Sequence, residues 1–562
     1  MKTCKQCSSP FEVAPEDLKF YEKVSPVFEG KKYLIPEPDL CPSCREQLRL
    51  AWKNERKLYK HNCDLCGKAT FSLYSSDKPY KVYCVDCWWS DKWDPMEYGM
   101  EFDFSRPFFE QYNELLLRVP KQALHHNNNA ENCEYTTSTT RNRNCYLISS
   151  SGYNEDCYYG IFMARNKNSV DVTHIMDSEL CYECVDADKG YNLSWCQNTK
   201  DCSDSRFLYD CHGCRYCFFC TGLRNKEYYI RNKPYSKKQY EKEMAGIDFT
   251  SHKTVGAIEK DFAEFKKGQP RLYYDGQNNE NVVASDYIFN SKNCAYCLDA
   301  NNLEDCKYCG WYNDSKDCQD VYAFGYGNEK CYDSMQIGTH CQNILMCNSS
   351  WNNISDLIYC FACHTSQNLF SCDGLKYKKY CIFNKQYKEQ DYRSLVSQII
   401  GHMQKTGEWG HFPSARYSFF AYNEAMANDF YPLSKDEAKK RGWAWKEVID
   451  ELPKVEKTIP AAKLPDKTAD IPDDVLNWAL KCEATGRPFK LIAQELSYYR
   501  KHSLPVPRVH PDERHRQRFE LRNPRHFWVR KCDSCGKAIQ TSYSPDRPEK
   551  VYCEQCYLKE VY

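Results

Sequence analysis

Twelve cysteines stand at the spacing that metal coordination needs. They form three quartets, each of two Cys-x2-Cys pairs: Cys4, Cys7, Cys41 and Cys44; Cys63, Cys66, Cys84 and Cys87; and Cys532, Cys535, Cys553 and Cys556. One such pair presents two thiolates from a single knuckle, and a second knuckle completes a tetrahedron around a soft ion such as Zn2+. Each quartet supplies all four ligands, so the sites read as structural zinc; a catalytic zinc keeps one position open for water or substrate. Cys211, Cys214, Cys217 and Cys220 share part of the spacing of an iron–sulfur ligand run but lack its last spacing and its proline. Two disulfides or four packed thiols are expected there, and no iron.

The chain beside the quartets is basic. Residues 44–62 hold six bases against two acids, and residues 500–531 hold ten against three. The stretch PSCREQLRLAWKNERKLYKHN (42–62) reads as a helix with Leu48, Trp52 and Leu58 as its apolar stripe. Arg45, Arg49, Lys53, Arg56 and Lys57 on it, and Arg514, Arg516, Arg518 and Arg522 near the other end, form candidate contacts to RNA, the ribosome or another polyanion. The competing reading is a solvated face laced with salt bridges. Cys482 matches Cys4, but Thr485, His510 and Glu513 replace Cys7, Cys41 and Cys44. Two good ligands are too few, so this copy is expected to keep its fold and lose its metal.

Between these modules the chain repeats every twelve residues. Cys133, Cys145, Cys157, Ser169, Cys181 and Leu193 share one column, continued after a three-residue slip by Cys202, Cys214 and Lys226. A second block aligns Val282, Cys294, Cys306, Cys318, Lys330, Gln342, Ile354, Ser366 and Lys378. All cysteines of the first block are multiples of three apart; in the second, Cys331, Cys341 and Cys347 depart from the rule, which implies a compensated slip. A period of three fits neither a helix nor a long strand. It fits a narrow coil with four inward positions per turn and a bore for small side chains. Asn and Asp before the column suit left-handed corners. Two residues after it stand Tyr135, Tyr159, Trp195, Tyr216, Tyr228, Tyr296, Tyr308, Tyr332 and Tyr380, a ligand surface or a self-stacked ladder.

The coil resembles the narrow right-handed β-helix of insect antifreeze proteins, without their ice-binding Thr-Cys-Thr ladders. The first 50 residues resemble a bacterial family of treble-clef zinc-binding domains, which implies zinc at Cys4, Cys7, Cys41 and Cys44. The whole resembles uncharacterised proteins of candidate-phyla-radiation bacteria that are sometimes labelled CaiB/BaiF coenzyme-A transferases. The expected fold is mostly β: two tandem right-handed parallel β-helices of twelve-residue coils, flanked by treble-clef and zinc-ribbon modules, with helical linkers. The expected parts are a treble-clef-like module (1–62), a ribbon (63–95) with a hairpin across 71–83, and a segment (96–126) capping the first end of the first β-helix. There follow β-helix 1 (127–234), a helical linker (235–277), β-helix 2 (278–387), a helical and aromatic segment (388–452) and a linker (453–472). A degenerate module (473–531) and a ribbon (532–562) complete the chain.

Lys plus Arg equals Asp plus Glu, 77 each, so overall charge points to no partner. Its distribution is uneven: residues 127–220 hold 13 acids against 8 bases, and residues 278–375 hold 12 against 4. The opening MKTCKQCSSPF lacks an apolar signal core, and no run reaches membrane-spanning length. A reducing cytoplasm is expected. The chain shows no phosphate loop, nucleophile elbow, HExxH or paired-glycine fingerprint. The expected function is a non-enzymatic zinc-binding scaffold that touches RNA or another polyanion; the alternative is a structural or protein-interaction protein without nucleic acid. An enzyme of the transferase type ranks below both.

Overall fold

The computed structural model describes residues 1–125, 129–447 and 455–561. The expected start of the first repeat block at 127, the end of the 388–452 segment and the first two residues of the 453–472 linker lie outside the described residues.

Corners come first. In the first block every third residue takes a left-handed backbone: φ is 48° at Asn132, 53° at Tyr135, 51° at Ser138, 49° at Arg141 and 52° at Asn144. The residue after most corners belongs to the buried core, as Cys145, Ile148 and Cys157 do. Left-handed φ costs an L-residue about 1–2 kcal/mol, and Asn or Asp would bear it best. Yet Leu147, Phe162, Trp195 and Phe219 turn the same corners. The surrounding ladder imposes the corner whatever the side chain.

That ladder is parallel and steps by twelve residues. Ser149 pairs with Thr137 and Ile161, Ile161 with Thr173, and Thr173 with Val185. The expected three-residue slip does not occur. Leu193 pairs with Ser205, and Cys202 lies one turn beyond Gly190, on the neighbouring side. The cysteine column changes sides while the register holds. In the second block the step lengthens to thirteen, as Gln319 pairs with Tyr332, Glu329 with Gln342 and Gln342 with Ser355. Three extra residues make one whole side, so the period of three returns in phase at Cys360. The inward column therefore runs through Cys331, Ile344, Leu357, Leu369 and Cys381. Lys330, Gln342 and Lys378 do not belong to it. The bore also takes Leu and Ile, so it is wider than small side chains alone require.

Bore side chains also satisfy backbone groups. Ser169 Oγ accepts from Cys181 N at 3.2 Å, Ser205 Oγ from Cys217 N at 2.9 Å, and Cys347 Sγ from Cys360 N at 3.3 Å. Thiols donate as well: Cys145 Sγ reaches Arg143 O at 3.2 Å and Asn154 O at 3.7 Å. Cysteine suits the bore as a small apolar group with a weak donor and a weak acceptor. On one side of the first block Asn142, Asn154 and Asn166 stack as a buried ladder. Asn154 Nδ2 donates to Asn142 Oδ1 at 3.1 Å, and Asn166 Nδ2 to Asn154 Oδ1 at 3.0 Å.

Four expected segments differ in the structure. The helix from residue 42 stops at Leu50. Asn54 Oδ1 accepts from Arg56 N and Lys57 N at 3.1 and 2.9 Å, a side-chain turn that outcompetes the helix. The 71–83 hairpin does not form: Tyr59–Asn62 pairs with Ala69–Ser72, and Val82–Tyr83 pairs in parallel with Lys121–Gln122. The 96–126 segment closes the last turn of the second block and also meets the first turn of the first, where Thr139 N donates to His125 O and His125 N to Thr137 Oγ1, both at 3.3 Å. Met100 N donates to Phe383 O at 3.0 Å, and the Phe108 ring lies 5.1 Å from Tyr359 and 5.8 Å from Phe370. The apolar face of helix Phe108–Arg118 needs an aromatic wall, and the second block supplies one. The described part of the linker is structured: Lys457–Pro460 pairs with Trp478–Lys481, and Ala461 and Leu464 are buried. Helices Lys237–Ala245, His252–Lys267 and Glu389–Thr406 fall where expected.

Candidate metal centres and the ion pairs that dock them

Three four-cysteine groups converge as the spacing requires. In each, the four sulfurs lie within 4.8 Å of one another. Cys7–Cys41, Cys66–Cys84 and Cys535–Cys553 stand 3.7, 3.9 and 3.7 Å apart. A tetrahedron with metal–sulfur bonds of about 2.3 Å has edges of about 3.8 Å, so the donor set fits a metal ion. The local build is shared. A knuckle returns Gly67 N to Cys63 O at 2.8 Å and Gly536 N to Cys532 O at 2.9 Å, with the glycines at φ 75° and 76°. The second pair begins a short helix, and its first cysteine N–H points back at a sulfur: Cys41 to Cys4, Cys84 to Cys63 and Cys553 to Cys532, at 3.3, 3.2 and 3.2 Å. Hydrogen bonding from Cys44 brings the Cys41 thiol down to about 7. Burial pushes Cys532 up, but the N–H groups of Cys553, Cys535 and Ser534 outweigh it and bring it to about 6. In the same quartets Cys44 and Cys556 move the opposite way, so one sulfur of each crowded set takes the charge before its neighbours.

No disulfide joins any of the described cysteines. Cys211, Cys214, Cys217 and Cys220 lie buried along one turn of the bore and are not among the converging groups. The degenerate module repeats the knuckle, with Gly486 N on Cys482 O at 2.9 Å, and the helix, Pro511–Glu520. His510 Nδ1 caps that helix through Asp512 N at 3.0 Å, and Glu513 is engaged by Arg516 and Gln517.

The basic residues are placed differently from a polyanion surface. Arg45 and Arg49, one and five residues past Cys44, both bond Asp320: Arg45 Nε at 3.0 Å and Arg49 Nη2 at 3.2 Å. Arg49 also bonds Asp333 at 2.5 Å. Arg514 and Arg518, one and five residues past Glu513, both bond Asp171, at 2.7 and 2.9 Å, and Arg518 reaches Glu183 at 3.3 Å. Arg45 covers the Tyr308 ring and Arg514 the Tyr159 ring. The N-terminal helix thus docks on the second block and the C-terminal helix on the first, by one shared design. Arg45, Arg49, Lys53, Arg514 and Arg518 are 1–5 % exposed. Lys53 pairs with Glu55 at 2.5 Å. Arg56 and Lys57 meet Asp512 at 3.2 and 2.8 Å, which joins the two modules beside a cleft of about 520 Å³. Only Arg516 of the nine keeps a side chain more than half exposed, at 55 %, and it pairs with Glu513 and Glu520.

Arg522 does the work of a cation at a third kind of site. The donor atoms of His174, Asp186 and Asp299 lie within 4.8 Å of one another. Arg522 fills the space between them, with Nε on Asp186 at 3.1 Å, Nη1 on His174 Nε2 at 3.1 Å and Nη2 on Asp299. Burial, then Arg522, drives the His174 pKa down to about 3, so the ring is neutral and accepts. Asp186 belongs to the first block and Asp299 to the second, so one guanidinium ties both. None of these acids was singled out by spacing. The available signal was opposite charge on the blocks and modules of one chain, which makes the chain its own first candidate partner.

Docking covers most of the aromatic column. Tyr135 meets Phe71 at 4.1 Å, Tyr332 meets Tyr21 at 5.3 Å and Tyr380 meets Tyr392 at 5.7 Å. Tyr216–Tyr228 and Tyr296–Tyr308 stack on each other at 5.2 Å, the ladder arrangement. The tryptophans of the first ribbon enclose a lysine: Lys376 Nζ lies 4.0, 5.0 and 5.3 Å from Trp88, Trp89 and Trp93. His364 packs against Trp88 and Trp351. Burial, then Lys376, holds its pKa at about 3. The unfolded ring titrates near 6.5. The unfolded state therefore binds more protons between those values, and the stability this ring contributes is lost as pH falls from about 6.5 towards 3. His364→Phe is expected to flatten the acid limb of a denaturation-midpoint profile and to leave the midpoint at pH 8 nearly unchanged. An unaltered acid limb would refute the assignment.

No family model matches the chain, and no curated protein matches it. Among solved structures, a Desulfovibrio desulfuricans G20 protein described as an acetyltransferase aligns at 8% identity, over 51% of this chain and 86% of its own, with a TM-score of 0.09. That score carries no argument about fold or activity. No helix among the described residues is long and apolar enough to cross a membrane.

Proposed function

We propose that the chain is a non-enzymatic, zinc-pinned scaffold, built on two tandem right-handed parallel β-helices and presenting its outer faces to protein. The ladder step of twelve or thirteen residues supports the β-helix reading, since each parallel return needs a crossover, and such crossovers favour the right hand. The four-sulfur closed sites support zinc in a structural role. One observation carries the functional reading. Four of the nine basic residues that suggested a polyanion partner, Arg45, Arg49, Arg514 and Arg518, are buried on Asp171, Asp320 and Asp333 of the same chain. The modules therefore brace the blocks, and charge separation along the sequence is an assembly device.

Metal analysis of the purified chain by mass spectrometry tests the scaffold reading. The three quartets predict three zinc per chain and no iron. Fewer than two zinc, or stoichiometric iron, would overturn it. The RNA reading retains a small footprint at Arg516, where the guanidinium is partly open to solvent. Salt-sensitive RNA binding that is abolished by Arg516→Glu would favour it over the protein reading.

A further inference from the structure

We propose that the N-terminal four-cysteine site operates a one-sided latch. Ion binding at Cys4, Cys7, Cys41 and Cys44 seats Arg45 in the Asp320 socket, and ion loss frees that end of the helix while the equivalent C-terminal helix stays seated. The inference rests on the reading that the quartets hold zinc.

The two docked helices form an internal comparison. Helix Pro42–Leu50 has nine residues, and its N-cap, Cys41, makes no side-chain capping bond. So short a helix is marginal without outside support. Two of the four metal ligands, Cys41 and Cys44, sit at its first turn, and Arg45 follows directly. Metal binding is therefore coupled to the folding of the turn that aims Arg45. The far end has its own anchor: Trp52 donates to Pro413 O at 3.2 Å and packs on Phe419 at 5.6 Å. Release thus begins at the arginine end and opens the socket there.

The C-terminal helix replaces the ion with bonds of its own. His510 caps the first turn, Arg516 and Gln517 hold Glu513, and Tyr499 OH meets Arg514 at 3.0 Å. Its knuckle is intact at Cys482. The same socket chemistry is therefore ion-dependent on the second block and ion-independent on the first. The device responds to chelation or thiol oxidation at one end of the molecule.

The test uses the full-length chain and hydrogen exchange read peptide by peptide. Cys7→Ser removes the one exposed ligand of the N-terminal site. Zinc content is expected to fall from three to two, with exchange over residues 41–49 rising at least tenfold and exchange over 510–518 unchanged. In the converse variant, Thr485→Cys, His510→Cys and Glu513→Cys are combined. Zinc is expected to rise to four, and protection of 510–518 becomes sensitive to a chelator. Loss of the ion with 41–49 still protected, or equal loss of protection at both helices, overturns the latch. Wild-type protein without zinc fails the scaffold reading instead, so the two failures are distinguishable. If Cys7→Ser does not accumulate, brief chelation of the wild-type protein reads the same two peptides.

Discussion

Asp320→Asn is expected to lower the free energy of unfolding by about 3–5 kcal/mol, the cost of removing one partner from a buried ion pair. Two guanidiniums depend on this one carboxylate. Arg45 meets it through Nε at 3.0 Å and Nη2 at 2.9 Å, and Arg49 through Nη2 at 3.2 Å. Asp333 cannot take over both, because it already holds Arg49 Nη1. Burial raises the Asp333 pKa to about 6 against the pull of Arg49, so its charge is itself held in place by that arginine. Asp171→Asn is expected to match it, because Arg514 and Arg518 share Asp171 in the same way. The control is Glu304→Gln, which removes the half-exposed pair with Lys316 and is expected to cost under about 1 kcal/mol. Denaturant unfolding followed by tryptophan fluorescence reads all three. A loss at Asp320 no larger than at Glu304 would mean that the arginines are solvated. Replacing Arg45, Arg49, Asp320 and Asp333 together by Met, Met, Leu and Leu should recover much of the loss, since apolar groups of like volume often substitute for a whole buried charge cluster.

Asn154→Ala should cost about 3 kcal/mol, at about 1–3 kcal/mol for each buried group left unsatisfied. Asn154 Oδ1 accepts from Asn166 N and Nδ2, both at 3.0 Å, and its Nδ2 donates to Met163 O at 3.3 Å. Truncation leaves Asn166 N and Met163 O without these partners in a buried site. Asn132→Gly in the same block is the contrast. Asn132 is an exposed corner residue, and glycine accepts its left-handed φ of 48° without strain. A change within about 0.5 kcal/mol is expected there. Equal costs at Asn132 and Asn154 would show that the buried ladder bonds contribute no more than an exposed side chain.

What could be read from spacing was what the chain repeats locally. The three quartets converge because each knuckle is four residues long and carries its own geometry. The beat of three was legible because each corner and each inward position recurs within a single turn. Contacts between distant segments left no such trace. Arg49 and Asp333 are 284 residues apart, and nothing near either names the other. Local chemistry also misled where a nearby competitor intervened, as when the Asn54 side chain ended the helix that the basic run suggested. The thirteen-residue turns showed only as three displaced cysteines, because single insertions are invisible until they add up to a full side. Residues 457–464, rich in Lys, Pro and Ala, carried a linker composition. Yet Ala461 and Leu464 find apolar sites against the degenerate module, and composition alone does not reveal what lies opposite.

The crossed docking sets an order of events at the ribosome. Arg45 and Arg49 leave the exit tunnel long before Asp320 and Asp333 have been translated, and Asp171 waits in turn for Arg514. At 5–20 residues per second, the first pair of arginines stands without its carboxylates for on the order of tens of seconds. The nascent chain therefore cannot mature from its front end backwards, and the Asp171 socket stays vacant until nearly the last codons have been read.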